Sequence, residues 1–180
     1  MSNTFASHTL YAFKLPYTIK EEKNLGGRCY AAKNTFLNPE KLTFSSGSGR
    51  PIYKMTYMVA DIPVVIFATH LSTETGTDGI RQKDLIELAS LLSNVEYGIV
   101  LGDLNTYDMS EITSNFSNFN VCNGGVFGTF ITYPAVSARW PNGAIDNIIT
   151  TKNISIQNVT APDVQLSDHR PIVAELNVYY

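Results

Sequence analysis

Two runs decide the fold, Val64-Val65-Ile66-Phe67-Ala68-Thr69-His70-Leu71 and Gly98-Ile99-Val100-Leu101-Gly102-Asp103-Leu104-Asn105. Each opens as a short apolar run, the pattern of a strand buried on both faces, and each breaks off into polar residues. Between them, Ile80 to Leu92 sets Leu85, Leu88 and Leu92 at helical spacing with Arg81, Lys83, Asp84 and Glu87 interspersed, which predicts an amphipathic helix. Strand, helix and strand in that order predict a layered α/β architecture.

Upstream of the first run, Ile52 to Val59 is bulky and partly alternating, and only Asp61-Ile62-Pro63 breaks the pattern. The two runs therefore read as a hairpin that ends at His70. Downstream, residues 106 to 143 are rich in loop signals, among them Gly124-Gly125, Pro134 and Pro141, with one short helix expected near Met109 to Phe116. Two last strands are expected at Ala144 to Thr150 and Ile172 to Val178, with a shorter one around Ile154 to Val159. Residues 1 to 50 are poorly patterned: Gly26-Gly27 and Ser45-Ser46-Gly47-Ser48-Gly49 read as turns around short strands such as Cys29 to Phe36. With no repeat and no linker, the 180 residues are expected to form one domain.

An apolar fraction of 44% with 16% charged residues is that of a packed, soluble protein and excludes disordered or fibrous classes. A net charge of −3 argues against a strong sequence-independent grip on a nucleic-acid backbone, which depends on Lys and Arg displacing counterions. Cys29 and Cys122 are too few for a disulfide framework or a cysteine metal cluster. Met1 to Leu15 lacks the pattern of a signal peptide, and no segment approaches the roughly 18 apolar residues of a membrane span, so a soluble chain is expected in a compartment the sequence does not specify.

Four polar clusters each sit at the end of an apolar run: Thr69-His70-Leu71, Gly102-Asp103-Leu104-Asn105, Ile145-Asp146-Asn147 and Ser167-Asp168-His169. A sheet brings such strand ends to one edge, where α/β proteins build their sites. Two histidines, three aspartates and an asparagine would meet there. Carboxylate and amide oxygens are the hard ligands that Mg²⁺ or Mn²⁺ prefers, and imidazoles can donate protons to a phosphoryl oxygen. The set suits phosphoester hydrolysis better than acyl transfer, for which no strained nucleophile elbow is present. Taken singly, each cluster is an ordinary strand cap or turn; their order and spacing carry the reading.

In that order, Ile66-Phe67-Ala68-Thr69-His70-Leu71, Arg81-Gln82, Val100-Leu101-Gly102-Asp103-Leu104-Asn105, Thr132-Tyr133-Pro134, Ala144-Ile145-Asp146-Asn147-Ile148-Ile149 and Ser167-Asp168-His169-Arg170-Pro171-Ile172 resemble the motifs of the endonuclease/exonuclease/phosphatase (DNase I-like) family over about residues 52–178. The resemblance implies a four-layer α/β/β/α sandwich and Mg²⁺- or Mn²⁺-dependent hydrolysis of a phosphodiester or phosphomonoester. The substrate would be a nucleic acid, a phosphorylated small molecule or a lipid. It further implies that His70 holds and protonates the phosphate, that Asp103 orients or deprotonates the attacking water with Asn105 beside it, and that Asp146 holds the imidazole of His169. Asp168, with Asp103 and Asn105, would hold the metal.

The sequence departs from the family at its start. Members open with an Asn-bearing strand, a helix and a strand ending in Gln-Glu, whose glutamate is the main metal ligand, and neither motif is found here. Glu21-Glu22 lies between Lys20 and Lys23 in a polar stretch and is no substitute. Against a family domain of about 250 residues, the fold is thus expected to be truncated at its N-terminal side. Self-association, or covering structure from residues 1 to 50, should then shield the uncovered sheet. Two competing functions are a non-catalytic or impaired member that acts as a binding module, and a domain with an aromatic platform of Tyr133, Trp140 and Phe130, although aromatics in loop-rich regions more often belong to the core rim.

Overall fold

The computed structural model describes residues 36–73, 79–134, 143–164 and 167–179. Cys29, Glu21-Glu22, Trp140 and nearly all of the strand expected at Cys29 to Phe36 lie outside them. In chain order the elements are β1 (Leu37–Thr43), β2 (Pro51–Val59), β3 (Ile62–His70), α1 (Ile80–Ser93), β4 (Gly98–Asp103), α2 (Met109–Asn115), β5 (Asn120–Val121), β6 (Asp146–Thr150), β7 (Ile154–Thr160) and β8 (Val173–Val178). A six-stranded sheet runs in the order β1-β2-β3-β4-β6-β5, and β7 and β8 form a second, two-stranded sheet. All pairs are antiparallel except β3 with β4, the two that α1 connects.

The apolar runs of β3 and β4 are continuous because both of their faces are covered. Phe67 and Val100 face one way, into a core with Leu71, Ile149, Ile112, Phe116 and the α1 residues Leu85, Leu88 and Leu92. Their neighbours Val64, Ile66, Ala68, Ile99 and Leu101 face the other way, against Ile154 of β7 and Val178 of β8. Side chains alternate between faces along a strand, so an unbroken apolar run is what two cores require. The described layers are therefore helices, six-stranded sheet and two-stranded sheet. Truncating a fully buried leucine such as Leu88 would cost about 2–5 kcal/mol.

The expected break at Asp61-Ile62-Pro63 is narrower than the sequence suggested. The hairpin turns at Ala60 and Asp61, with Ala60 at φ 52°, and Ile62 and Pro63 already pair with Val59 and Met58. Pro63 is tolerated because β4 pairs with β3 only from Val65 onward, so the proline precedes the stretch that needs donors on that side. The poorly patterned start contributes β1, which covers the edge of β2 and is itself mostly exposed.

The two helices dock through polar contacts as well as through the core. Arg81 is buried and grips Glu111 with two nitrogens, at 2.8 and 3.1 Å. Gln82 and Asn115 exchange amide hydrogen bonds at 3.2 and 3.3 Å.

Candidate functional site

Strand register assembles the first part of the site. His70 is aligned with Asp103 across the parallel β3–β4 pair, and Asp103 with Asp146 across the antiparallel β4–β6 pair. Laterally paired residues point to the same face of a sheet, so one imidazole and two carboxylates stand in a row at its edge. Gly102 makes the row close-packed: its φ is 138°, and a Cβ there would sit 1.9 Å from the Thr69 carbonyl oxygen. Only glycine fits between β3 and the aspartate.

The strand ends are then pinned. Leu71 donates its N–H to Asp103 O at 2.9 Å, and Leu104 donates to Ile145 O at 2.7 Å. Asn105 is buried in the left-handed region at φ 51°. Its backbone N–H donates to Asp103 Oδ1 and its amide Nδ2 to Leu71 O, both at 2.9 Å. With the nitrogen so used, the amide oxygen is the atom left to accept a hydrogen bond or ligate a cation.

His169 arrives from the β7–β8 connection. Its Nδ1 lies 2.8 Å from Asp146 Oδ2 and its Nε2 3.9 Å from Asp103 Oδ2. His70 Nε2 approaches the same Asp103 oxygen at 3.4 Å. Asp103 Oδ2 thus stands between two imidazole nitrogens and is the focus of the site. The structure brings together His70, Asp103, Asn105, Asp146 and His169. Asp168 is exposed and accepts from the Ser167 hydroxyl at 3.1 Å, and its charge acts on His169.

Electrostatics mark the same atoms. Burial, followed by the charge of Asp146, pushes the Asp103 pKa up to about 7, against the opposing effects of the Asn105 N–H, His169 and Arg50. Burial alone would lower the pKa of His169, but the hydrogen bond and charge of Asp146, with Asp103 and Asp168, raise it overall. A carboxylate that ionises reluctantly beside a second carboxylate is relieved by a cation. Asp103, Asp146 and His169 each offer a ligand atom within 4.8 Å of the others. This donor set, with the Asn105 amide oxygen beside it, fits a small divalent ion.

Sequence reasoning missed several supports. Arg50, just ahead of β2, supplies positive charge that acts on Asp103. Thr132 accepts the Asp146 N–H on its hydroxyl at 3.2 Å and the Arg170 N–H on its carbonyl at 2.7 Å, tying the His169 loop to β6. Buried Asn123 and Asn147 bond reciprocally at 2.7 and 3.0 Å, and the Asn123 amide also donates to Asp146 O at 3.1 Å. Asn147 and Thr132 were visible within the quoted motifs, whereas Asn123 and Arg50 had no sequence signal beyond being polar near turns. Of the expected aromatic platform, Tyr133 packs its ring on His169, with centroids 4.8 Å apart. Phe130 instead serves through its backbone, which bonds the Asn123 side chain.

The sequence profile of the Endonuclease/Exonuclease/phosphatase family matches residues 6–169, reaching well ahead of the first motif, which begins at Ile66. No curated protein matches the chain. Among solved structures, an endonuclease/exonuclease/phosphatase from Beutenbergia cavernae superposes with a TM-score of 0.63 at 18% identity, over 81% of this chain and 46% of that one. TDP2 of D. rerio, in complex with a single-strand DNA product, gives 0.62 at 16% identity, over 79% and 68%. The inositol polyphosphate 5-phosphatase domain of SPsynaptojanin, in complex with inositol (1,4)-bisphosphate and calcium, gives 0.57 at 16% identity, over 79% and 55%. The chain thus spans about half the length of the Beutenbergia protein. At these identities the likeness is one of fold, and the fold is DNase I-like α/β.

Proposed function

The chain belongs to the endonuclease/exonuclease/phosphatase family, and on that premise we propose that it hydrolyses a phosphodiester or phosphomonoester with Mg²⁺ or Mn²⁺. Enzymes of this family are hydrolases of phosphoester bonds and generally use divalent metals. The observation that carries the reading is Asp103 Oδ2, set 3.4 Å from His70 Nε2 and 3.9 Å from His169 Nε2, with Asp146 behind His169.

In this reading a phosphoryl group enters at the two imidazoles. His169, whose proton affinity Asp146 raises, and His70 donate hydrogen bonds to its oxygens as negative charge develops. Asp103, poised near pH 7, accepts a proton from the attacking water, and a carboxylate tuned to the working pH is an efficient base. Asn105 fixes the Asp103 carboxylate, and the Arg50 guanidinium offsets charge on the phosphate. Asp103, Asn105 and Asp168, with Asp146 and His169 close by, would hold the ion, which contributes Lewis-acid neutralisation of phosphate charge.

A nuclease and a small-molecule or lipid phosphatase both fit this chemistry. A second reading, a binding module with a weakened metal site, is favoured by one observation: among the described residues no glutamate joins the convergent ligand group. The test is hydrolysis of an aryl phosphodiester and an aryl phosphomonoester with Mg²⁺, with Mn²⁺ and with a chelator, comparing the chain with its His169→Ala variant. Metal-dependent turnover lost in the variant supports the enzyme. Equal, metal-independent background in both supports the binding module.

A further inference from the structure

Beside the polar row lies an aromatic rim with no role in the proton transfers. Tyr107 is two residues beyond Asn105 and remains 44% exposed despite its size. Its ring lies against the backbone of Gly143, where a Cβ would stand 2.7 Å from Tyr107 Cε1 and 2.9 Å from Cδ1. Gly143 is bridged to Tyr133, donating its N–H to Tyr133 O at 2.6 Å. Tyr133 in turn packs on His169 at 4.8 Å. A continuous path therefore runs from the imidazole through Tyr133 and Gly143 to the open ring of Tyr107. Close approach to a glycine backbone fixes that ring while leaving part of it bare.

We propose that Tyr107, with Tyr133 between it and His169, forms a stacking subsite for the planar ring of a nucleotide substrate. The proposal rests on the phosphoesterase reading of the adjacent site and narrows its substrate class. One further observation favours a stacked ring: a chain of net charge −3 cannot rely on backbone electrostatics to hold a nucleic acid, and stacking is the sequence-tolerant alternative.

The test is calorimetric binding of adenosine 5′-monophosphate and of glycerol 1-phosphate, which carry the same phosphomonoester on a nucleoside and on a ring-free polyol, with Ca²⁺ present. The probes are compared on the chain and on its Tyr107→Ala and Tyr107→Phe variants. The nucleotide should bind about tenfold or more tighter than glycerol phosphate, within the range stacking aromatics give. Tyr107→Ala should remove most of that difference, and Tyr107→Phe should keep it. Equal binding of both phosphates to the unmodified chain overturns the stacking subsite and leaves the phosphate site standing. Parallel loss of both probes in Tyr107→Ala marks a structural role and also overturns it. Binding of neither probe removes the phosphoesterase reading and this inference with it.

Discussion

Asp103 and Asp146 are cross-strand neighbours in the β4–β6 register, so the fold itself holds two carboxylates side by side at the sheet edge. Burial and this neighbour raise the Asp103 pKa from 3.8 to about 7. Between those values the folded chain binds the proton and the unfolded chain does not, so stability falls as pH rises through that window. Asp103→Asn removes the charge and retains an oxygen for the Asn105 N–H. The variant should be inactive yet more stable than the parent at pH 8, with a Tm gain of about 2 °C or more, and the gain should vanish near pH 4. Thermal melts at the two pH values check this. A variant less stable at pH 8 would show that the Asp103 charge is not a cost to the fold.

The Asp146–His169 contact yields a pH dependence of the same sign, although here the charged form is the one the fold stabilises. His169 gains its proton affinity from Asp146, so its charged form persists to higher pH in the folded protein and the stabilisation is lost as pH rises through the raised pKa. Asp146→Asn keeps a hydrogen-bond acceptor but removes the charge. The His169 imidazole should then titrate at lower pH by NMR, and turnover should fall by about a hundredfold or more. An unchanged titration would separate His169 from Asp146 and remove the assigned role of the aspartate.

Much of this arrangement was legible because it follows from periodicity and strand ends. The continuous runs of β3 and β4 encode two buried faces, and the abrupt polar endings at His70 and Asp103 encode a shared edge. What could not be read is register and long-range contact. Nothing in the sequence pairs Ser46 with Asp84 or Asn123 with Asn147, and β1 and β5 lack the apolar alternation that would betray them, being respectively an exposed edge and two residues long. Asp168 ends an apolar-to-polar transition as Asp103 does, but its exposed position beside Ser167, with its charge acting on His169, is set by the loop path and not by strand register.

The loop ahead of β2 reaches the site through one buried acid. Asp84 on α1 accepts from the Ser46 hydroxyl, Ser46 Oγ accepts from Ser48 N at 3.1 Å, and Ser48 Oγ accepts from Arg50 N at 3.3 Å. Burial raises the Asp84 pKa, opposed by its serine hydrogen bonds. Asp84→Ala leaves the Ser46 hydroxyl without its acceptor, and should cost about 1–3 kcal/mol of stability and raise KM several-fold through Arg50, with a smaller effect on kcat. Asp84→Asn, which keeps an acceptor for Ser46, should be closer to the parent. Urea melts and steady-state kinetics of both variants test the relay, and equal KM values in all three proteins would dissolve the link to Arg50.

The central claim, that Asp103 and its neighbours hold a divalent cation, is tested most directly by titrating Mn²⁺ at pH 6 in two buffers of different ionisation enthalpy. A proton sits on Asp103 at that pH and must leave when the carboxylate ligates. The account predicts saturable binding with release of about one proton per ion, weaker binding of Mg²⁺, and loss of both binding and release in Asp103→Asn. Binding that releases no proton and survives in Asp103→Asn, or no binding at all, would contradict it.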